Sequence, residues 1–333
     1  MRDNPRMSTS RVTLIAALLL CVSAASFAQT PTDPRGGEGA MGRDKGVGFL
    51  DRYADELRAR KVLDRTHQSM HTAAFRQALH AFAPGSTPEL RLTWGEFMTA
   101  SGTVFVALQL APPASAIAND TKLVVFGEVV DANGKVIDEF EEPAPVVASK
   151  QDRFVERTLV APVRGGIGTF GLARGREIVA IGRTTFTFDE LSKSAAGVSP
   201  LIVSNNVYNL SALQSPLDPF AFGGTKVVPK PDRAFGKHEE IWLFTELRNP
   251  TLGTDKLPKV TTKIDVAGNG KKISGAPTAI EAFPLKGVEG HYGVGTTVDL
   301  SKLPAGEYTV TLTVRDELAN STYGRSAAIR IVD

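Results

Sequence analysis

Sulfur chemistry is nearly absent from this chain. Its one cysteine, Cys21, sits in the apolar run Val12 to Val22 (VTLIAALLLCV), after the basic Arg2, Arg6 and Arg11 and before Ser26-Phe27-Ala28. That order reads as a signal peptide cut after Ala28, because so short an apolar run does not comfortably span a bilayer. Leu20 stands where a lipidation site needs a small residue. The mature chain is then expected to hold no cysteine, which excludes disulfides and a thiol nucleophile.

Charge of one sign is lacking as well. There are 38 Lys and Arg against 36 Asp and Glu, and removing residues 1–28 takes three Arg and one Asp, leaving 35 of each sign. Such balance favours neither nucleic acid nor an anionic membrane surface. Aromatics make up 7% of the chain, and Trp94 and Trp242 are the only tryptophans, a thin basis for a carbohydrate platform. Long helical periodicity is also scarce beyond residue 85.

What is present is alternation. Residues 29–46 are rich in Pro, Gly and charge and read as a flexible leader. In residues 47–85 a helical segment is expected, with Phe49, Tyr53 and Leu57 on one amphipathic face and Ala74, Phe75, Ala78, Leu79 and Phe82 on a second. Both helices are too short to stand alone and should pack on the strands behind them. Over residues 86–191 the runs Val104–Leu110, Leu123–Val130, Phe154–Val163 and Glu177–Phe188 read as strands, and Asp131-Ala132-Asn133-Gly134 as a hairpin turn. Residues 192–219, with Pro200, Pro216 and Pro219, read as a linker in which Leu201-Ile202-Val203 could add a short strand.

Over residues 220–333, seven further runs with turn signals between them match an immunoglobulin-like sandwich. EIWLFTELRNP (240–250) parallels VFVALQLAPP (104–113), and KVTTKIDVAGNGKKI (259–273) parallels KLVVFGEVVDANGKVI (122–137), as in diverged copies of one unit. The fold class expected is mainly β: two tandem antiparallel sandwiches after a short helical segment. Tyr308 follows Leu303-Pro304-Ala305-Gly306, which makes it a candidate tyrosine corner, with Val310 where antibody domains place a cysteine. Trp242 and Phe244 alternate with Ile241 and Leu243, so that strand is apolar on both faces. The second face is either covered by a neighbour or open as a binding patch.

The runs RQALHAFAPGSTPELRLTWGEFMTASGTVFVALQLAPP, SPLIVSNNVYNL and LDPFAFGGTKVVPKPDRAFGKHEEIWLFTELRNP, with LPAGEYTVTLTVRD, resemble a known arrangement. It is the region following the von Willebrand A domain in exported VWFA-related proteins of Acidobacteria, and similar tail modules occur in GWxTD-type proteins. The resemblance covers about residues 60 to 333 and implies tandem immunoglobulin-like modules in an envelope or secreted protein. The A domain's Asp-x-Ser-x-Ser metal motif does not occur, so its metal-dependent adhesion is not implied.

Motifs for chemistry are weak. Gly166-Ile167-Gly168-Thr169-Phe170-Gly171 fits G-x-G-x-x-G, but a strand pattern follows where a dinucleotide site needs a helix, so a turn is expected. His67 and His71 have helical spacing without a third metal ligand, and Asp131 to Gly134 lacks the rest of a calcium loop. His238-Glu239-Glu240 reads as a solvated strand end, and no G-x-S-x-G elbow exists. No catalytic residue, cofactor or metal is therefore expected. The reading is a periplasmic or secreted interaction module for a protein partner, with no nucleic acid and no membrane span after cleavage. A carbohydrate-binding module and an uncharacterised hydrolase are the alternatives.

Overall fold

The computed structural model describes residues 70–86, 88–98, 104–113, 122–149, 152–160, 165–187, 196–210, 219–222, 224–285 and 289–333. The expected signal peptide, leader and first helix lie outside them. The chain is mainly β, in sheets whose strands pair antiparallel except for the short parallel pairing of Ala234–Gly236 with Arg330–Val332, and it has one short described helix, α1 (Ala73–Ala81).

Eight strands form a first sandwich: β1 (Arg91–Met98), β2 (Val104–Ala111), β3 (Val124–Asp131), β4 (Val136–Pro143), β5 (Val146–Ser149), β6 (Asp152–Val160), β7 (Gly166–Arg174) and β8 (Glu177–Phe186). One sheet runs β1-β2-β6-β5 and the other β4-β3-β7-β8. Val106, Leu108 and Leu110 of β2 face Val125, Phe140, Phe170 and Leu172 of the opposite sheet, and all are fully buried.

A second sandwich follows. Its first sheet holds β9 (Gly197–Val198), β10 (Ile202–Asn209), β11 (Ala221–Phe222), β12 (Thr225–Pro229), β14 (Ile241–Arg248), β18 (Phe283–Pro284) and β19 (His291–Val298), in the order β11-β12-β10-β14-β19-β18 with β9 also on β14. Its second sheet holds β13 (Ala234–Gly236), β15 (Val260–Gly268), β16 (Lys271–Ser274), β17 (Thr278–Ile280), β20 (Gly306–Asp316) and β21 (Ser321–Val332), in the order β13-β21-β20-β15-β16 with β17 on β15. Ile241, Leu243 and Leu247 meet Val310, Leu312 and Val314 between the sheets.

The two sandwiches share one strand order. With β2 and β14 as strand B, each sandwich has the order A-B-E-D in one sheet and C′-C-F-G in the other, an immunoglobulin-like arrangement. The parallel segments of the sequence are strand B and the C–C′ hairpin of each copy. Tyr308 sits at the start of strand F, 3% exposed, and its hydroxyl donates to the Pro304 carbonyl at 3.0 Å. That is the expected corner, and the fully buried Val310 packs where a disulfide could have been.

The stretch 192–219 is not simply a linker. Ser204, Val203 and Ile202 pair with Trp242, Leu243 and Phe244, while Val198 pairs with Leu247, so β9 and β10 supply strand A of the second sandwich. Pro200 interrupts that strand without detaching it. The Ser199 amide still donates to the Glu246 carbonyl at 2.9 Å, and the Ser199 hydroxyl accepts the Glu246 amide at 2.9 Å.

The sandwiches pack sheet against sheet. The outward residues of β1 and β2, Phe97, Phe105 and Ala107, meet Ile202, Phe220, Phe222, Val227 and Phe244. This explains why β2 and β14 are apolar on both faces: each lies in a sheet covered on both sides. Polar links fix the contact, with Gln109 Nε2 donating to the Pro229 carbonyl at 3.1 Å and Lys226 Nζ reaching Glu156 Oε2 at 2.6 Å. The other outer face of the first sandwich is covered by α1, where Phe75 stacks on Phe126 at 4.3 Å.

Candidate functional site

The candidate site is the loop end of the second sandwich where strands B and C and strands F and G are joined. Asp316 closes β20 and is fully buried. Its Oδ2 accepts the Thr251 amide at 2.8 Å, and its Oδ1 accepts the amides of Leu318 at 3.0 Å and Ala319 at 3.1 Å. One carboxylate thus ties the B–C loop to the F–G turn. The Glu317 amide adds a bond to the Lys259 carbonyl at 2.9 Å.

Each loop is also held internally. Gly253 donates to the Leu257 carbonyl and Lys256 to that of Gly253, while Asp255 Oδ1 accepts the Leu257 amide at 3.1 Å. Asn320 takes a left-handed φ of 52°, a conformation Asn tolerates well, and its Oδ1 accepts from Arg315 at 2.8 Å. From these ordered loops Leu252, Leu257 and Leu318 project 45%, 43% and 39% exposed, with Asp255, Lys256, Arg315 and Glu317 beside them. Ordered loops that carry large apolar side chains among charges have the make-up of a recognition surface.

The residues singled out from sequence are dispersed. Phe244 is 4% exposed and lies in the contact between sandwiches, so it is not an open binding patch. Trp242 is half-buried on the same face. Trp94 packs edge-on against Phe186 at 5.1 Å. His67 lies outside the described residues. His71 is exposed and its amide donates to Glu141. His238 and Glu240 are exposed at a turn. Glu239 instead works structurally: burial pushes its pKa up, but Asn205, the Gly236 amide and Lys230 outweigh this and hold it below the usual carboxylate range.

The glycine motif was expected as a turn and is in fact strand β7. Two of its glycines make room for rings. A Cβ on Gly168 would lie 2.5 Å from the Phe170 ring and 2.6 Å from that of Phe186, and one on Gly171 would lie 2.2 Å from Phe126. Asp131 of the other turn spends its Oδ1 on the Asn133 and Lys135 amides.

Besides the Lys226–Glu156 link, sequence reasoning missed a second buried titratable pair. His291 Nδ1 lies 2.6 Å from Glu246 Oε1 on the outward face of β14 and β19, with both residues under 5% exposed. The residues are far apart in sequence and no motif links them. Buried so deeply, the pair is placed to join two strands rather than to meet a substrate. Among the described residues no group of three or more His, Cys, Asp or Glu could hold a metal ion, and no helix is long and apolar enough to cross a membrane.

No family model and no curated protein matches the chain. Among solved structures it is similar to red sea bream transglutaminase, at 10% identity and a TM-score of 0.22, over 78% of this chain and 33% of that one. It is also similar to a superoxide reductase (neelaredoxin) from Ignicoccus hospitalis, at 11% identity and a TM-score of 0.20, over 30% of this chain and 75% of that one. The chain therefore spans about a third of the transglutaminase. At such scores neither likeness bears on function.

Proposed function

We propose that this chain is an exported, non-catalytic interaction protein of the cell envelope or its surroundings, and that it binds a protein partner through the B–C and F–G loops of the second sandwich. One observation carries the reading: Leu252, Leu257 and Leu318 are exposed on loops that the buried Asp316 holds in place. Ordering the loops in advance lowers the entropy lost on binding, and apolar anchors within a charged rim are what protein interfaces use. The signal-peptide pattern and the resemblance to exported immunoglobulin-like modules support the compartment.

The test is site-specific photo-crosslinking in the envelope of the producing cell. A reactive side chain at position 318 should give a discrete adduct. The same group at position 309, exposed on the hydroxyl-rich face of β20, should not. Equal labelling from both positions, or from neither, removes the proposal.

A further inference from the structure

A cleft of about 360 Å³ lies where the start of β1 meets β13, β20 and β21. Its walls include Arg91, Arg233 and Arg330, the carboxylates Asp232 and Glu307, and the apolar Ala328. Three arginines against two carboxylates leave one net positive charge.

Arg233 is the unusual member. It ends the turn Lys230-Pro231-Asp232-Arg233, donating its amide to the Lys230 carbonyl at 3.1 Å, and its φ is 50°. That left-handed position favours glycine, which would sit there without the steric cost an arginine bears. Its backbone carbonyl accepts the Arg330 amide at 2.8 Å, which ties the turn to strand β21 and brings the two side chains to one wall. The Arg233 side chain is half-buried, and burial pushes its pKa below the usual arginine range. Among the described residues its guanidinium has no hydrogen-bond or ion-pair partner, nor have those of Arg91 and Arg330. A half-buried cation that makes no hydrogen bond or ion pair, on strained backbone, marks a site that expects a partner from outside.

We infer that this cleft binds a small oxyanion, a carboxylate or a phosphate group, with Arg233 as the principal contact and Arg330 and Arg91 completing the charge. A guanidinium presents two parallel N–H groups that match the paired oxygens of either anion. Asp232 accepts the Ala234 amide through its Oδ1 at 3.0 Å, and among the described residues it forms no ion pair with these guanidinium groups. Glu307, opposite Arg330 in the β20–β21 register, and Asp232 limit the net charge, which suits a singly charged group better than a polyanion.

Titration of the full mature chain with acetate and with inorganic phosphate, followed by calorimetry, tests this. At least one anion should saturate one site, and the tighter binder names the source of the oxyanion. Arg233→Ala should weaken that binding roughly tenfold or more. Arg233→Gly should do the same while keeping or raising the melting temperature, because glycine relieves the backbone. Leu318→Asp, at the far loops, should leave anion binding unchanged, so the two sites fail or succeed separately. Absence of saturation by both anions, or affinity unchanged in Arg233→Ala and Arg233→Gly, would overturn the inference.

Discussion

The Asp316 carboxylate accepts the Thr251 amide at 2.8 Å across two loops that are 65 residues apart in sequence. It also caps the F–G turn, so a single side chain sets the geometry of the proposed binding end. Asp316→Ala leaves three part-buried amides without an acceptor, and the cost of about 1–3 kcal/mol for unsatisfied buried donors is the upper limit of the loss. Loss within that limit in urea unfolding is expected, with faster hydrogen exchange at Thr251, Leu318 and Ala319. Unchanged exchange at those amides would show that the loops hold without the carboxylate.

Tyr308→Phe removes one hydroxyl and keeps the ring. The lost bond to Pro304 should lower stability by on the order of 1 kcal/mol with the urea slope unchanged. A melting temperature equal to the parent's would mean that the corner contributes packing alone.

Gly171 faces the Phe126 ring, which in turn stacks on Phe75 of α1. Gly171→Ala must push that ring outward, and such overpacking costs about 1–3 kcal/mol. The helix is the element free to move, so exchange of the α1 amides should rise more than that of the β3 amides. The reverse order would contradict this path.

The contact between the sandwiches joins them into one cooperative unit. Calorimetry should show one transition for the parent chain. Phe244→Ala, a truncation that costs about 3–5 kcal/mol in a packed core, should separate it into two. Two transitions in the parent would mean that the interface is weaker than its burial implies.

Acid should release α1. Arg76 foremost, with the Met70 amide, holds Glu139 below the usual carboxylate range. Burial pushes Glu141 up, but the Thr72 side chain and the Thr72 and His71 amides outweigh it. Groups with depressed folded pKa values contribute stability that is complete above the unfolded value, near 4.3, and is lost as pH falls through the folded values. Exchange protection of α1, compared at matched intrinsic rates, should be constant from pH 7 to about 5 and fall below about 4. Protection that rises on acidification would reverse the sign and refute it.

Much of the architecture was legible because alternation is a local signal. The runs at Val104 and Tyr308, the Asn-Gly hairpin at 133–134 and the likeness of the two strand B segments depend only on neighbours in sequence. Strand β7 was not legible, because Gly166, Gly168 and Gly171 look like loop residues until the Val130 carbonyl is seen against Gly166 and the Phe186 and Phe126 rings against Gly168 and Gly171. Strand A was legible only as the short run Leu201–Val203: Pro200, Asn205 and Asn206 carry turn signals, and pairing with β14 and β12 overrides them. Phe244 could be recognised as apolar on a second face, but its cover comes from Phe222 beside it and from β1 and β2, more than 130 residues earlier. The loop site was the least visible. Leu252, Leu257 and Leu318 are scattered singly among polar residues, and only the long-range bonds of Asp316 gather their loops.

The central claim is that these leucines form the binding end. Its most direct measure is retention of the native partner by the purified chain, compared with a Leu257→Asp/Leu318→Asp variant of equal melting temperature. The account predicts that the parent retains a single cross-linked partner and that the variant loses it at least tenfold, since each buried leucine contributes about 1.5–3 kcal/mol. Equal retention by parent and variant would contradict it.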